Sequence, residues 1–434
     1  MMKDMQLRFS SLIVILGIIL LGTTTLASST LWAKEVNAAT KIYLPYIAKP
    51  STIKSQITKK VLELPIQLED SAGSWCTWGG CTIGPRLYHA PLPNNNTLVG
   101  WTDKNGNGHI SLVTSDSVTH WNFAGTSIRG LVGHEDNSFA VLLWNPTQKV
   151  IKLSRRSATN VEIWSTNLNS SIAVADFWLG DGRLTYGNNL YAAYFTVKGT
   201  AGGFTGHHGD QMSYVDSSGN KLPGNFPNGW DWGCSHSMAQ SIAYHPGLGK
   251  FAAICSSDCY PAASIHWVNA SHQIYQGAGN CGGNVSTQLG QMALGNDSWK
   301  LVFNAIAQPC CEGKGIALAT LDKQEGSHYS WLTNSQGAFE RDPVIARLGA
   351  NSAIEKYVVG WLTTNNNQYL LGVIDAAGHF LINPENVSTA GIGWGNRDDS
   401  FHTRYDGTVS WVQGDPNAQT ISLFVFDPAP FMAP

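Results

Sequence analysis

Charge is scarce in this sequence: only 13% of its 434 residues are Asp, Glu, Lys or Arg. The 27 basic and 30 acidic side chains leave a net charge of -3, and no basic stripe gathers anywhere along the chain. Nucleic acid and anionic membrane surfaces are therefore excluded as expected partners. Long apolar runs are also missing. The stretch SSLIVILGIILLG, residues 10–22, has 13 residues, short of the roughly 20 that span a bilayer. Amphipathic helical periodicity is absent, which argues against alternating strand-helix architecture. The first forty residues hold no cysteine, which argues against a lipoprotein anchor.

What those forty residues do contain is a charged start, an apolar centre and a small-residue end, VNAA, the pattern of a secretory signal. Residues 1–40 are expected to be removed, leaving a secreted, extracellular chain without a membrane span, expected to be a monomer. Residues 41–72 read as an N-terminal lead-in and 73–434 as the folded domain. Glycine (45), Trp (16) and Tyr (14) are abundant, as suits many short strands joined by tight turns. All eight cysteines follow the signal, and an even number in an exported chain favours disulfides. Candidate pairs are Cys76 with Cys81, Cys255 with Cys259, and Cys234 with Cys281, while Cys310 and Cys311 form a vicinal bridge or pair elsewhere.

An internal repeat organises the rest. Apolar or aromatic strands recur as NTLVGWTD (96–103), SFAVLLWN (138–145), NLYAAYFTV (189–197), GKFAAICSSD (249–258), WKLVFNA (299–305), KYVVGWLT (356–363) and GTVSWVQG (407–414), each followed by an alternating strand. The polar residues that open each unit, Arg86, Asp136, Asp176, His236, Gln288, Asp342 and Asp399, are 50, 40, 60, 52, 54 and 57 positions apart. That spacing fits four-stranded blades with variable loops. The last unit shows three strands, and VLELPIQL (61–68) is placed to supply a fourth and close the ring.

The pattern resembles the secreted seven-bladed β-propellers over residues 73–427. It implies an all-β fold: a single seven-bladed β-propeller of four-stranded blades, containing disulfides. A β-sandwich or two smaller β-domains is the alternative. The turn TSDSVTHW, Thr114 to Trp121, resembles a degenerate Asp-box of sialidase-type propellers, with Val118 where that motif has Gly.

In a propeller the starts of the innermost strands converge on one mouth of the central channel. The repeat therefore predicts a mouth rich in His, Arg and carboxylate, groups costly to bury unless paired. His208, Asp210 and His236 are the candidate acid/base or metal-ligating residues, and zinc or calcium the candidate metals, although no cofactor is required. Tyr214 is a candidate proton donor, Asp342 and Asp399 candidate catalytic carboxylates. His134, Trp230, Trp232, Arg341 and Arg397 are candidate substrate-binding residues, the arginines suited to a carboxylate or sulfate.

These residue types point to a carbohydrate-active enzyme that takes an extracellular polysaccharide or glycoside. A histidine-based lyase, in which His208 and His236 exchange protons while Arg341 and Arg397 neutralise a uronate, is preferred slightly over a carboxylate-based hydrolase. A secreted lectin or adhesion propeller is the rival. The units differ sharply in their polar residues, which favours one specialised site over a repeated sugar pocket.

Overall fold

A computed structural model of the chain describes residues 52–69, 86–169, 173–177, 180–199, 206–223, 234, 239–257, 262–267, 270–276, 287–306, 313–324, 326–334, 337, 339–349, 353–395 and 400–432. The described strands form seven four-stranded antiparallel sheets, six of them simple ladders. Sheet 1 starts at Leu87–Pro91, sheet 2 at Ser127–Gly133, sheet 4 at Ala239–His245, sheet 5 at Gln288–Leu294 and sheet 6 at Glu340–Arg347. Sheet 7 starts at His402–Thr403. Sheet 3 branches: the long strand Leu190–Gly199 carries His208–Asp216 along one edge and both Gly182–Gly187 and Ala173–Ala175 along the other. Its inner strand is thus interrupted between residues 175 and 182.

Each inner strand packs against the inner strand of the next sheet, and that of sheet 7 touches both sheet 6 and sheet 1. All seven also line one central cavity of about 610 Å³. The fold is a β-propeller with four-stranded blades, and all described strands lie in the unit Pro50–Pro434.

The repeat read from sequence corresponds to the second strand of each sheet. Thr97–Thr102, Phe139–Asn145, Leu190–Gly199, Lys250–Ser257, Ser298–Ile306, Lys356–Thr363 and Val409–Asp415 fall where the apolar stretches place them. These strands are covered on both faces by neighbouring sheets, so they read as continuous apolar runs. Trp101, Trp299, Trp361 and Trp411 are almost fully buried there. Outer strands alternate with solvent, as in Glu162–Asn167.

Sheet 7 takes its outer strand from the N-terminal side. Ile57–Glu63 pairs antiparallel with Thr420–Phe426, from Ile57 opposite Phe426 to Glu63 opposite Thr420. The pairing strand begins four residues before the expected VLELPIQL stretch, because Ile53, Leu62 and Leu64 are the buried positions there.

The disulfide expectations need correction at two cysteines. Cys234 bonds to Cys255, so Cys255 does not pair with Cys259, nor Cys234 with Cys281. Cys255 lies opposite Gln240 in the register of sheet 4, and that pairing brings it back to Cys234, just ahead of the inner strand. Both sulfurs sit in the seam between sheets 3 and 4 with Tyr194, Met212 and Ala253. Cys76, Cys81, Cys259, Cys281, Cys310 and Cys311 lie outside the described residues. The bond closes a loop of 21 residues, worth about 3 kcal/mol in a chain-entropy account. Cys234→Ala/Cys255→Ala is expected to lower the melting temperature by about 4 °C, measured by calorimetry.

Candidate functional site at the front mouth

The front mouth is the end of the channel where the inner strands begin. Arg86 precedes the inner strand of sheet 1, and Tyr88 is that strand's second residue. Arg129 belongs to sheet 2, at a break in register between Ile128 and Gly130. Such a bulge re-aims the side chain that an even alternation would bury elsewhere. Asp181 and Arg183 stand at the interruption of the sheet 3 inner strand.

These groups meet around one carboxylate. The Tyr88 hydroxyl donates to Asp181 Oδ1 and Oδ2 at 3.0 and 3.2 Å. Arg183 Nη1 is 3.4 Å from Oδ2, Arg129 Nη1 3.8 Å from Oδ1, and Arg86 Nε 3.9 Å from Oδ2. The Arg86 amide donates to Glu69 Oε1 at 3.4 Å. Burial pushes the Glu69 carboxyl up from its ordinary value, against the lowering effect of Arg129 and Arg86. Among the described residues, three guanidinium groups thus face two carboxyls.

Arg129 is the most confined of the three, at 3% exposure. Its guanidinium carbon lies 5.2 Å from the Trp144 ring and 4.9 Å from the Phe177 ring, a cation-π sandwich that fixes its plane. Among the described residues its Nε and Nη1 have no hydrogen-bond partner, although Nη1 stands in the ion pair with Asp181.

Two glycines make the cluster possible. A Cβ at Gly180 would stand 2.3 Å from Thr196 Oγ1, and one at Gly182 would stand 2.4 Å from the Arg129 carbonyl oxygen. Glycine on both sides lets Asp181 lie flat between sheets 2 and 4, where its amide donates to Gln240 Oε1 at 3.2 Å.

His208 and Asp210 fall away from the channel. They lie on the third strand of sheet 3, His208–Asp216, and are 7% and 0% exposed. Asp210 accepts from Gln240 Nε2 at 2.5 Å and from the Tyr194 hydroxyl at 3.4 Å. It is a tie between sheets 3 and 4, and burial beside it holds the Tyr194 phenol well above its usual range. Tyr214 corrects the expectation of a proton donor at the mouth. It follows Asp210 by two further turns of the pleat and packs in the inter-sheet cluster of Met212 and the disulfide, its hydroxyl 3.4 Å from Met212 Sδ.

Asp342 does stand at the front end, in a bulge of the sheet 6 inner strand with φ of 52°. Its Oδ1 accepts from Gln288 Nε2 at 2.7 Å, and its amide donates to Gln288 Oε1 at 2.9 Å. Arg341 beside it has a side chain 39% exposed, with Nε 3.8 Å from Asp342 Oδ2. His236, Asp399, Trp230, Trp232 and Arg397 lie outside the described residues. Among the described residues no three His, Cys, Asp or Glu side chains converge as metal ligands.

His134 also corrects an expectation. It follows the inner strand of sheet 2 instead of opening it, so it lies with Asp136 at the rear end. Its Nε2 is 3.0 Å from the Tyr191 hydroxyl and its ring meets Tyr186 edge-on. Burial, helped by Arg155, lowers its pKa from 6.5 to about 4. The unfolded chain then binds a proton that the folded one refuses between those values, so His134 weakens the fold as pH falls from about 6.5 towards about 4. In His134→Gln the urea midpoint is expected to depend less on pH across that window.

No protein-family profile matches the sequence, and no curated protein matches it. Solved structures of similar trace include the Penicillium chrysogenum alpha-L-arabinanase complexed with arabinobiose, at 10% identity over 85% of this chain and 98% of that one, TM-score 0.42. The K499G mutant of NanB sialidase from Streptococcus pneumoniae matches at 10% identity over 85% and 71%, TM-score 0.42. The SapL1 lectin in complex with alpha methyl fucoside matches at 10% identity over 71% and 81%, TM-score 0.34. Likenesses of this degree assign no residue and no activity to the present chain.

Proposed function

We propose that the chain is a secreted carbohydrate-active protein that holds a carboxylate-bearing saccharide at the front mouth and hydrolyses it there. One observation carries this reading: Arg129, sandwiched between Trp144 and Phe177, is held at the front mouth beside Arg86, Arg183 and Asp181. A planar carboxylate is the complement of a guanidinium held in one plane. Glu69, its carboxyl pushed up by burial, is the proposed general acid that protonates the leaving oxygen, and Asp181 the proposed base that takes the proton of the attacking water. In this reading the branched sheet 3 is a full blade, making the ring seven-bladed. The Cys234–Cys255 bond supports an oxidising compartment and with it the secretory reading of residues 1–40.

The lyase preferred from sequence is not supported: His208 lies on the third strand of sheet 3, and His236 lies outside the described residues. Sugar binding without catalysis is the second reading, favoured by the Tyr88 hydroxyl, which occupies both oxygens of Asp181.

The test incubates the full chain with neutral and uronic polysaccharides and follows reducing ends, unsaturated uronate and binding. New reducing ends without unsaturated product are expected, with acidic substrates preferred. Binding alone would establish the lectin reading. Unsaturated uronate would establish a lyase, and no interaction with any saccharide would refute both proposed readings.

A further inference from the structure

A second concavity, of about 580 Å³, opens at the rear end of the seam between sheets 5 and 6. That size suits a small ligand. Its wall forms where the second strand of sheet 5 begins at Ser298, the third strand ends at Asp322, and the turn at Ala376 and Ala377 follows the third strand of sheet 6. Lys300 lies at its base, 6% exposed, and its Nζ donates to Thr320 Oγ1 and to the Ala376 carbonyl, each at 2.9 Å. For the remaining N–H of the ammonium, the Glu355 carboxylate stands with Oε1 4.0 Å away, beyond hydrogen-bond reach.

An atom set in that gap has to accept from an ammonium and donate to a carboxylate at once. An anion cannot donate, and the carboxylates of Glu355, Asp297 and Asp375 already face Lys300. A metal cation cannot accept. A hydroxyl oxygen does both. Glu355 is held from its other side, Oε1 accepting from the Tyr357 hydroxyl and Oε2 from the Asn296 amide at 3.1 Å, so the carboxylate is not free to turn and close the gap. Around this pair Thr320, Gln324 and Ser330 add neutral polar groups, while Ala376 and Ala377 add small apolar surface. Asp297, Asp322 and Glu355 outnumber Lys300 and Lys323 along the wall, which disfavours an acidic guest.

We propose that this seam is a second ligand site, distinct from the front mouth, that takes a neutral saccharide residue. One sugar hydroxyl bridges Lys300 Nζ and Glu355 Oε1, and a C–H face of the ring lies on Ala376 and Ala377.

Calorimetric titration of the full chain with glucose, and with glucuronate as its anionic counterpart, tests this. Glucose is expected to bind saturably at millimolar concentration. Ala377→Trp is expected to weaken glucose by about tenfold and to leave any glucuronate binding unchanged, because the indole fills the seam and not the front mouth. The fold tolerates this change: position 377 is exposed, and its bond to Asp375 Oδ1 is made by the backbone amide. Glu355→Gln is also expected to weaken glucose by about tenfold, since a hydrogen bond to a charged group becomes a neutral one. If Glu355→Gln does not fold, Ala377→Trp decides alone. No saturable glucose binding, a glucose affinity unaltered by Ala377→Trp or by a folded Glu355→Gln, or a glucuronate response that disappears with Ala377→Trp would each overturn the proposal.

Discussion

Arg129→Met is expected to weaken binding of an acidic saccharide by about tenfold to a hundredfold while sparing the fold. The loss follows from removing charged hydrogen bonds worth about 1.5–3 kcal/mol each. The fold is spared because two guanidinium groups, Arg86 and Arg183, then face two carboxyls, Asp181 and Glu69, and a methionine still fills the slot between Trp144 and Phe177. Asp181→Asn provides the contrast. It leaves three guanidinium groups around a neutral amide, with Glu69 the remaining carboxyl of the cluster among the described residues, and breaking a buried charge cluster in this way costs about 3–5 kcal/mol. Affinity for a uronic oligosaccharide and a urea melt, measured on both variants, should therefore separate: Arg129→Met loses binding and keeps its midpoint, Asp181→Asn loses its midpoint. Equal loss of stability in both would show that Arg129 serves packing alone.

Removal of the chain through Glu63 is expected to abolish cooperative folding. The deletion strips seven register pairs from Thr420–Phe426 and leaves an open edge next to an apolar strand, an aggregation hazard. It also removes Ile53, buried against Trp411, Phe424 and Phe426, and Leu62, buried against Ile421 and Leu423. Emptying each site costs about 2–5 kcal/mol, against a total stability of about 5–15 kcal/mol for a typical domain. A thermal melt of the truncated chain should show no sharp transition, and light scattering should rise on heating. Leu62→Ala should lower the midpoint and preserve the transition, whereas Val61→Ala, at a position 48% exposed, should do neither. A truncated chain that melts as sharply as the intact one would mean the ring closes without this strand.

The blades were legible because of where apolar residues must go. A second strand buried on both faces has to be apolar along its whole length, so seven such strands announced themselves at blade spacing. The site was less legible, and the reasons differ by residue. Arg129 sits inside SIRGLVG, which reads as an ordinary strand, and only the bulge at Ile128–Gly130 turns it to the channel. Asp181 was open to discovery, since Gly180-Asp181-Gly182-Arg183 brackets a carboxylate with two residues that allow close backbone approach. The repeat spacing instead selects Asp176, five positions earlier, as the start of that unit. His208 and Asp210 drew attention as adjacent polar groups, but their strand lies third from the axis, and sequence carries no measure of radial distance. His134 follows its inner strand, and in sequence a polar residue in that place looks like one that precedes the next strand.

The sequence by itself determined the all-β class, the repeat and the second strand of every sheet, because burial on both faces dictates composition at each of those positions. Tertiary structure alone decided which polar residues share a mouth, that Cys234 meets Cys255, and that Arg86, Arg129 and Arg183 surround Asp181. Those outcomes depend on register, bulges and ring closure, which bring together residues from 21 to about a hundred positions apart through backbone geometry that side-chain identity does not encode.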